Sequence, residues 1–105
     1  MSQKNCVFCK IINEELPTEF VHRDKDVFVF RDINPKAPVH LLVVPRAHIK
    51  SFLDIRDNQI SLLTNLLKVI QRLVRSQKLQ SGYRVVVNGG ARQEVEHLHF
   101  HLLGD

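Results

Sequence analysis

The run His97-Leu98-His99-Phe100-His101-Leu102-Leu103 decides how this chain is read. Side chains of a strand alternate between its two faces, so the spacing predicts a strand over His97–Leu103 with His97, His99 and His101 on one face. Leu98, Phe100 and Leu102 then share the other face, which we expect to pack on a helix. The three imidazoles stand about 6.5–7 Å apart at Cα. They occupy half of a strand that a small domain needs for its core. Two chemistries fit such a row. The rings hold a metal that activates water, or one neutral ring attacks an electrophile while its neighbours fix its tautomer. A nucleophilic His suits a phosphorus centre. The plain alternative is a His-rich exposed edge strand.

Outward from this run, the pattern predicts four more strands. Tyr83–Asn88 (YRVVVN) breaks at Gly89-Gly90, whose backbone would let a phosphate approach. Val39–Val44 (VHLLVV) closes at Pro45 and carries His40, which is expected to face the row. Asp26–Arg31 contains Val27-Phe28-Val29-Phe30, an unbroken apolar run that reads as a strand covered on both faces or lying at an interface. Glu19–His22 precedes it across a turn at Asp24-Lys25. From about Asp57 to Gln77, Leu63, Leu66, Leu67, Ile70, Leu73 and Val74 recur at helical spacing. Asp54 or Asp57 is expected to cap this long helix and Gly82 to follow its end. Residues 6–13 read as a short helix stopped by Pro17. One long helix, one short helix and five strands make an α+β domain with a mostly antiparallel sheet.

The chain has 105 residues, enough for one domain over 1–105 and no second module. Apolar residues are 44% and charged residues 25%, ordinary values that exclude a long disordered tail or a collagen-like repeat. No apolar run reaches a membrane span of about 20 residues, so no membrane partner is expected. MSQKNCVFCK lacks the apolar stretch of a secretory signal, which points to the cytoplasm. The formal charge of +4 comes from scattered Lys and Arg, a pattern that speaks against nucleic acid and allows a small phosphate ligand. Cys6 and Cys9 are spaced C-x-x-C. In a reducing compartment that spacing suggests metal or redox chemistry, and nothing before Cys6 supplies the strand of a thioredoxin-like motif. Zinc would need two more ligands, which His can provide. Otherwise the pair is two small apolar residues opening a helix.

Together these residues resemble the histidine triad (HIT) superfamily, whose signature is His-φ-His-φ-His-φ-φ with φ apolar. Phe8-Cys9-Lys10-Ile11-Ile12, Phe30 through His40, Val44 through Ile49, Gly82-Tyr83-Arg84, Asn88 and Gln93-Glu94-Val95 follow the family order. The likeness spans nearly the whole chain and is greatest to the Hint branch of purine nucleoside phosphoramidases. It implies a HIT-like fold and a two-fold homodimer with a continuous sheet through residues 83–88. It also implies a nucleotidyl-histidine mechanism on AMP or GMP derivatives, without a catalytic cofactor. His99 corresponds to the nucleophile. His101 corresponds to the group that contacts the phosphate and handles the leaving-group proton. His97 and His40 correspond to the pair that orients the nucleophile. Asp32 matches a ribose-binding acid, with Ile33 and Phe8 lining the base pocket. Val7, Ile11, Phe30, Arg31 and Leu42 take further pocket positions, and Asn88 a phosphate-side contact. In relatives with structural zinc the ligands fall on Cys6, Cys9, His48 and His97, so two roles compete for His97.

This sequence also departs from the family pattern. Glu94 stands where many Hint proteins have the Ser that donates to the leaving group, and Glu96 stands where an aromatic is common. Arg31 replaces a His of some relatives. Relatives run on past the position of Asp105, so a tail that shapes substrate choice is expected to be missing. The superfamily also contains dinucleoside polyphosphate hydrolases and nucleotidyl transferases. A low-turnover nucleotide-binding module would use the same pocket, and a catalytic metal on His97, His99 and His101 is the remaining alternative.

Overall fold

In the computed structural model, which describes residues 5–105, five antiparallel strands form one sheet with a helix on each face. Residues 1–4 of the expected domain lie outside the described ones. The elements run α1 (Val7–Ile12), β1 (Phe20–Arg23), β2 (Val27–Arg31), β3 (Val39–Pro45), α2 (Ile60–Ser76), β4 (Tyr83–Val87) and β5 (Phe100–Gly104). The strand order is β1-β2-β3-β5-β4, so the last strand inserts between β3 and β4. The α+β class, the five antiparallel strands and both helices agree with the sequence reading.

The sheet is covered on both sides, as the unbroken run in β2 requires. Val27, Val29, Leu41, Val43, Leu98, Phe100 and Leu102 bury one face against Leu66, Val69, Ile70, Leu73 and Val74 of α2. Each such side chain removed from water contributes roughly 1.5–3 kcal/mol. Phe28, Phe30, Leu42 and Val44 bury the other face against Cys6, Phe8, Cys9 and Ile12. The three triad histidines and His40 lie on this second face, under α1. Among the described residues, no helix is long and apolar enough to cross a membrane.

Three local expectations fail for identifiable reasons. The β5 ladder starts at Phe100 rather than His97. Two register steps back from Val43↔Phe100, Leu98 would stand opposite Pro45, which has no N–H to give. The Leu98 N–H bonds the Ile49 carbonyl instead, at 2.7 Å. Helix α2 begins at Ile60 after a 3₁₀ turn over Asp57–Gln59, and neither expected Asp caps it. The Gln59 side chain accepts from the Arg56 N–H at 2.8 Å, while Asp54 accepts from the Ser51 hydroxyl. The helix ends without glycine, because Lys78 takes the left-handed conformation at φ 59°. Gly82 comes later, in a turn closed by its N–H on the Leu79 carbonyl.

Candidate active site

Six histidines divide into two clusters and one outlier. His99 is buried, and its Nδ1 lies 2.7 Å from the His97 carbonyl. A carbonyl only accepts, so Nδ1 carries a proton, and in the neutral ring the lone pair is on Nε2. The edge of the Phe8 ring packs on the imidazole, with centroids 4.9 Å apart. The conformation that makes this bond follows from Leu98 leaving the ladder, which turns the His97 carbonyl toward its own i+2 side chain.

His101 takes the opposite tautomer. The Lys36 N–H donates to His40 Nδ1 at 3.0 Å, which leaves the His40 proton on Nε2. That Nε2–H donates to His101 Nδ1 at 2.8 Å. His101 therefore keeps its proton on Nε2. Burial is the largest influence on both rings and holds their pKa values below the ordinary one, so both are neutral near pH 7. The site thus offers one bare imidazole nitrogen, from His99, beside one N–H, from His101. The two rings stand 5.1 Å apart.

Both rings line a cavity of about 1040 Å³. Val7, Phe8 and Ile11 of α1 form one wall. Phe30 and Arg31 of β2 and Leu42 of β3 form the floor beside the histidines. Asp32 and Ile33 come from the following loop, where Ile33 is 92% exposed at the rim. Glu94 also lines the cavity. Nine of the ten residues assigned to a nucleotide pocket therefore meet in one cleft. The exception is Asn88. The β4–β5 register carried one step beyond Val87↔Phe100 sets it opposite His99, but it does not line the cavity. Gly89 and Gly90 also lie outside it. Gly90, at φ 59°, opens a 3₁₀ turn over Gly90–Arg92.

The second cluster joins Cys6, Cys9, His48 and His97, whose donor atoms all lie within 4.8 Å of one another. Cys6 Sγ is 3.3 Å and Cys9 Sγ 3.5 Å from His97 Nδ1, and Cys9 Sγ is 3.3 Å from His48 Nδ1. Zinc bound tetrahedrally to two sulfurs and two nitrogens has donor–donor edges of about 3.3–3.8 Å. These separations fit it. His97 is fully buried, and its Nε2–H donates to the Pro45 carbonyl at 2.8 Å, which turns the Nδ1 lone pair toward the sulfurs. Burial pushes its pKa down to about 4, so the ring is neutral and able to ligate.

This corrects the pairing implied by the resemblance. The His97 ring does not orient His99, since its Nδ1 faces the two sulfurs and its Nε2–H bonds the Pro45 carbonyl. The His97 carbonyl orients His99 instead. His40 bonds His101, not His99. Side-chain patterns carry no sign of the backbone groups at Lys36, Pro45 and His97 that set every tautomer here. Leu16, Pro17, Thr18 and Phe20 also line the cavity. Leu16, an apolar residue in a polar stretch between two elements, was the available hint.

Residues 5–105 match the family described as scavenger mRNA decapping enzyme C-terminal binding. A HIT family hydrolase from Legionella pneumophila is 45% identical, with a TM-score of 0.92 over 95% of this chain and 92% of that one. A histidine triad nucleotide-binding protein from Candida albicans is 36% identical, with a TM-score of 0.84 over 93% and 73%. A 14 kDa zinc-binding protein of Zea mays is 40% identical over 93% of this chain and 80% of its own length.

Proposed function

The chain belongs to the histidine triad, or HIT-like, family, and on that premise we propose that it hydrolyses the P–N bond of purine nucleoside 5′-phosphoramidates through a covalent histidine intermediate. The observation that carries this reading is the fixed pair of opposite tautomers at the cavity floor. His99 Nε2 attacks the α-phosphorus and the P–N bond breaks, the amine taking a proton from solvent as it leaves. Water then attacks the same phosphorus and gives up a proton to solvent, the P–N bond to His99 breaks with its electron pair returning to Nε2, and the nucleoside monophosphate leaves. His101 Nε2–H donates to a phosphoryl oxygen as charge builds there. His40 acts by holding the His101 ring.

Apolar Val7, Phe8, Ile11, Phe30, Ile33 and Leu42 suit a purine, Asp32 suits the ribose hydroxyls, and Arg31 closes the wall. Glu94, in place of a serine, suits a basic leaving amine such as the Nε of a lysine conjugate. Asn88 supports the phosphate side as a neighbour of His99. Zinc at Cys6, Cys9, His48 and His97 would supply cross-linking between α1 and the sheet rather than chemistry. These residues would anchor the helix that carries three pocket side chains. The name of the maize relative supports a metal in the family. A homodimer through β4 fits the edge position of that strand and the exposure of Tyr83 and Val85 beside Leu67. A cytoplasmic setting suits reduced thiols and a nucleotide substrate.

The match to the decapping-enzyme family favours a second reading, cleavage of a P–O–P bond in a dinucleoside polyphosphate. A panel of adenosine 5′-phosphoramidate, its guanosine counterpart and a diadenosine polyphosphate separates the two. The account expects the phosphoramidates to be turned over fastest and His99→Ala to abolish the turnover. Turnover by His99→Ala within a few-fold of the unmodified protein would refute it.

A further inference from the structure

Asp32 lines the cavity with His99 and His101 and lies beside His40. Its Oδ1 accepts from the Asn34 N–H at 2.9 Å, and its own N–H donates to the His40 carbonyl at 3.0 Å. These two bonds fix the carboxylate. Its other oxygen, Oδ2, then lies 3.4 Å from His40 Nε2, on a side chain 18% exposed against 3% for His40. The contact is longer than a good hydrogen bond and acts mainly through charge.

We propose that Asp32 is a positioning residue for the His40–His101 pair, and so sets the direction in which His101 presents its proton. This rests on the phosphoramidase reading for its consequence but not for its geometry. His40 is held from both ends. At Nδ1 the Lys36 N–H demands a lone pair. At Nε2 the Asp32 carboxylate demands a proton. The reverse tautomer would set two N–H groups against each other at Lys36 and a lone pair against an anion at Asp32. With the proton on His40 Nε2, His101 Nδ1 must accept, and its Nε2–H is left for the phosphate. The charged groups around the pair are Asp32, Lys36 and Glu94, with the His99 ring beside His101. Of the two carboxylates, Asp32 is the one that lies within 4 Å of the shared proton's donor.

Asp32→Asn is the informative variant. Its amide oxygen retains the bond from Asn34, so the loop is kept. Its NH₂ then faces His40 Nε2 and favours a lone pair there. Two measurements test this. First, kcat and KM are compared on adenosine 5′-phosphoramidate and on its 2′,3′-dideoxy counterpart. The expected result is a kcat loss of about 10- to 100-fold on both, the range seen when a partner that orients a working histidine is removed. A loss confined to KM on the ribose substrate, with no difference on the dideoxy one, would overturn the proposal and leave Asp32 as a hydroxyl acceptor only. Second, ¹⁵N chemical shifts of the imidazoles report the tautomers without any substrate. In the unmodified protein His40 should be protonated at Nε2 alone, and in Asp32→Asn it should populate the Nδ1–H form. Unchanged tautomers in the variant would overturn the proposal. If the unmodified protein turns over neither substrate, the phosphoramidase reading fails, and the tautomer measurement still decides the role of Asp32.

Discussion

His97 and His99 are two residues apart, on the same face of the same segment, and belong to different devices. The cluster at His97 is closed. Its four donors face one another, its Nε2–H is spent on Pro45, and burial keeps the ring neutral with a pKa of about 4. The cluster at His99 is open. There His99 and His101 each spend Nδ1 inside the protein, on the His97 carbonyl or on His40, and leave Nε2 for the cavity. The difference is one of which nitrogen is satisfied by the fold. Where Nε2 is consumed and Nδ1 faces sulfur, the ring suits a metal. Where Nδ1 is consumed and Nε2 faces a cleft, it suits a substrate.

The largest effect should come from removing the open nitrogen. His99→Ala is expected to lower kcat by about 10³-fold or more, as loss of a covalent nucleophile does, with metal content unchanged by elemental analysis. Next comes the closed cluster. Cys9→Ala or His48→Ala should abolish stoichiometric metal binding and cost about 3 kcal/mol or more of stability. Thermal unfolding would then move down by more than about 10 °C, and strong chelator should lower the melting temperature of the unmodified protein in the same direction. A melting temperature that ignores both would remove the closed cluster from the account. His97→Ala sharpens the division further. Only its carbonyl serves His99, so the variant should lose activity to the same extent as Cys9→Ala. A loss as deep as that of His99→Ala would put the His97 ring back in the catalytic group.

Much of this division was legible in HLHFHLL, because period-two alternation and a row of imidazoles are side-chain properties. The two-sided burial of Val27-Phe28-Val29-Phe30 was legible for the same reason. The C-x-x-C pair was recognisable as half of a metal site from its spacing, while His48 and His97 as its other ligands came only from the family resemblance. The assignment of partners was not legible. It depends on the Lys36 N–H and on the His97 and Pro45 carbonyls, and every residue has such groups. Asn88-Gly89-Gly90 looked like a phosphate cradle, but these residues do not line the cavity and Gly90 starts a 3₁₀ turn over Gly90–Arg92. The left-handed Lys78 was invisible because its residue type does not advertise that conformation.

The sixth histidine gives the smallest effect and a control outside both clusters. His22 Nε2–H donates to Asp24 at 2.8 Å. Burial alone would raise the Asp24 carboxyl, but bonds from His22, the Asp26 and Val27 N–H groups and Asn65 of α2 outweigh it and hold the value at about 2. A folded value below the ordinary one of about 4 means that the contribution is present above that pH and lost as pH falls toward 2. Urea unfolding between pH 6 and pH 3 should show this loss. Asp24→Asn should flatten that pH dependence and cost about 1–2 kcal/mol at neutral pH. Catalytic constants and metal content should not move.

The central claim is that the bare nitrogen of His99, and no other imidazole, forms the bond to phosphorus. Rapid mixing with adenosine 5′-phosphoramidate, denaturing quench and peptide mass spectrometry measures it directly. The account predicts a nucleotidyl adduct on His99 of the unmodified protein. An adduct mapped to His97 or His101, or turnover with no adduct at any quench time and no change in His99→Ala, would contradict it.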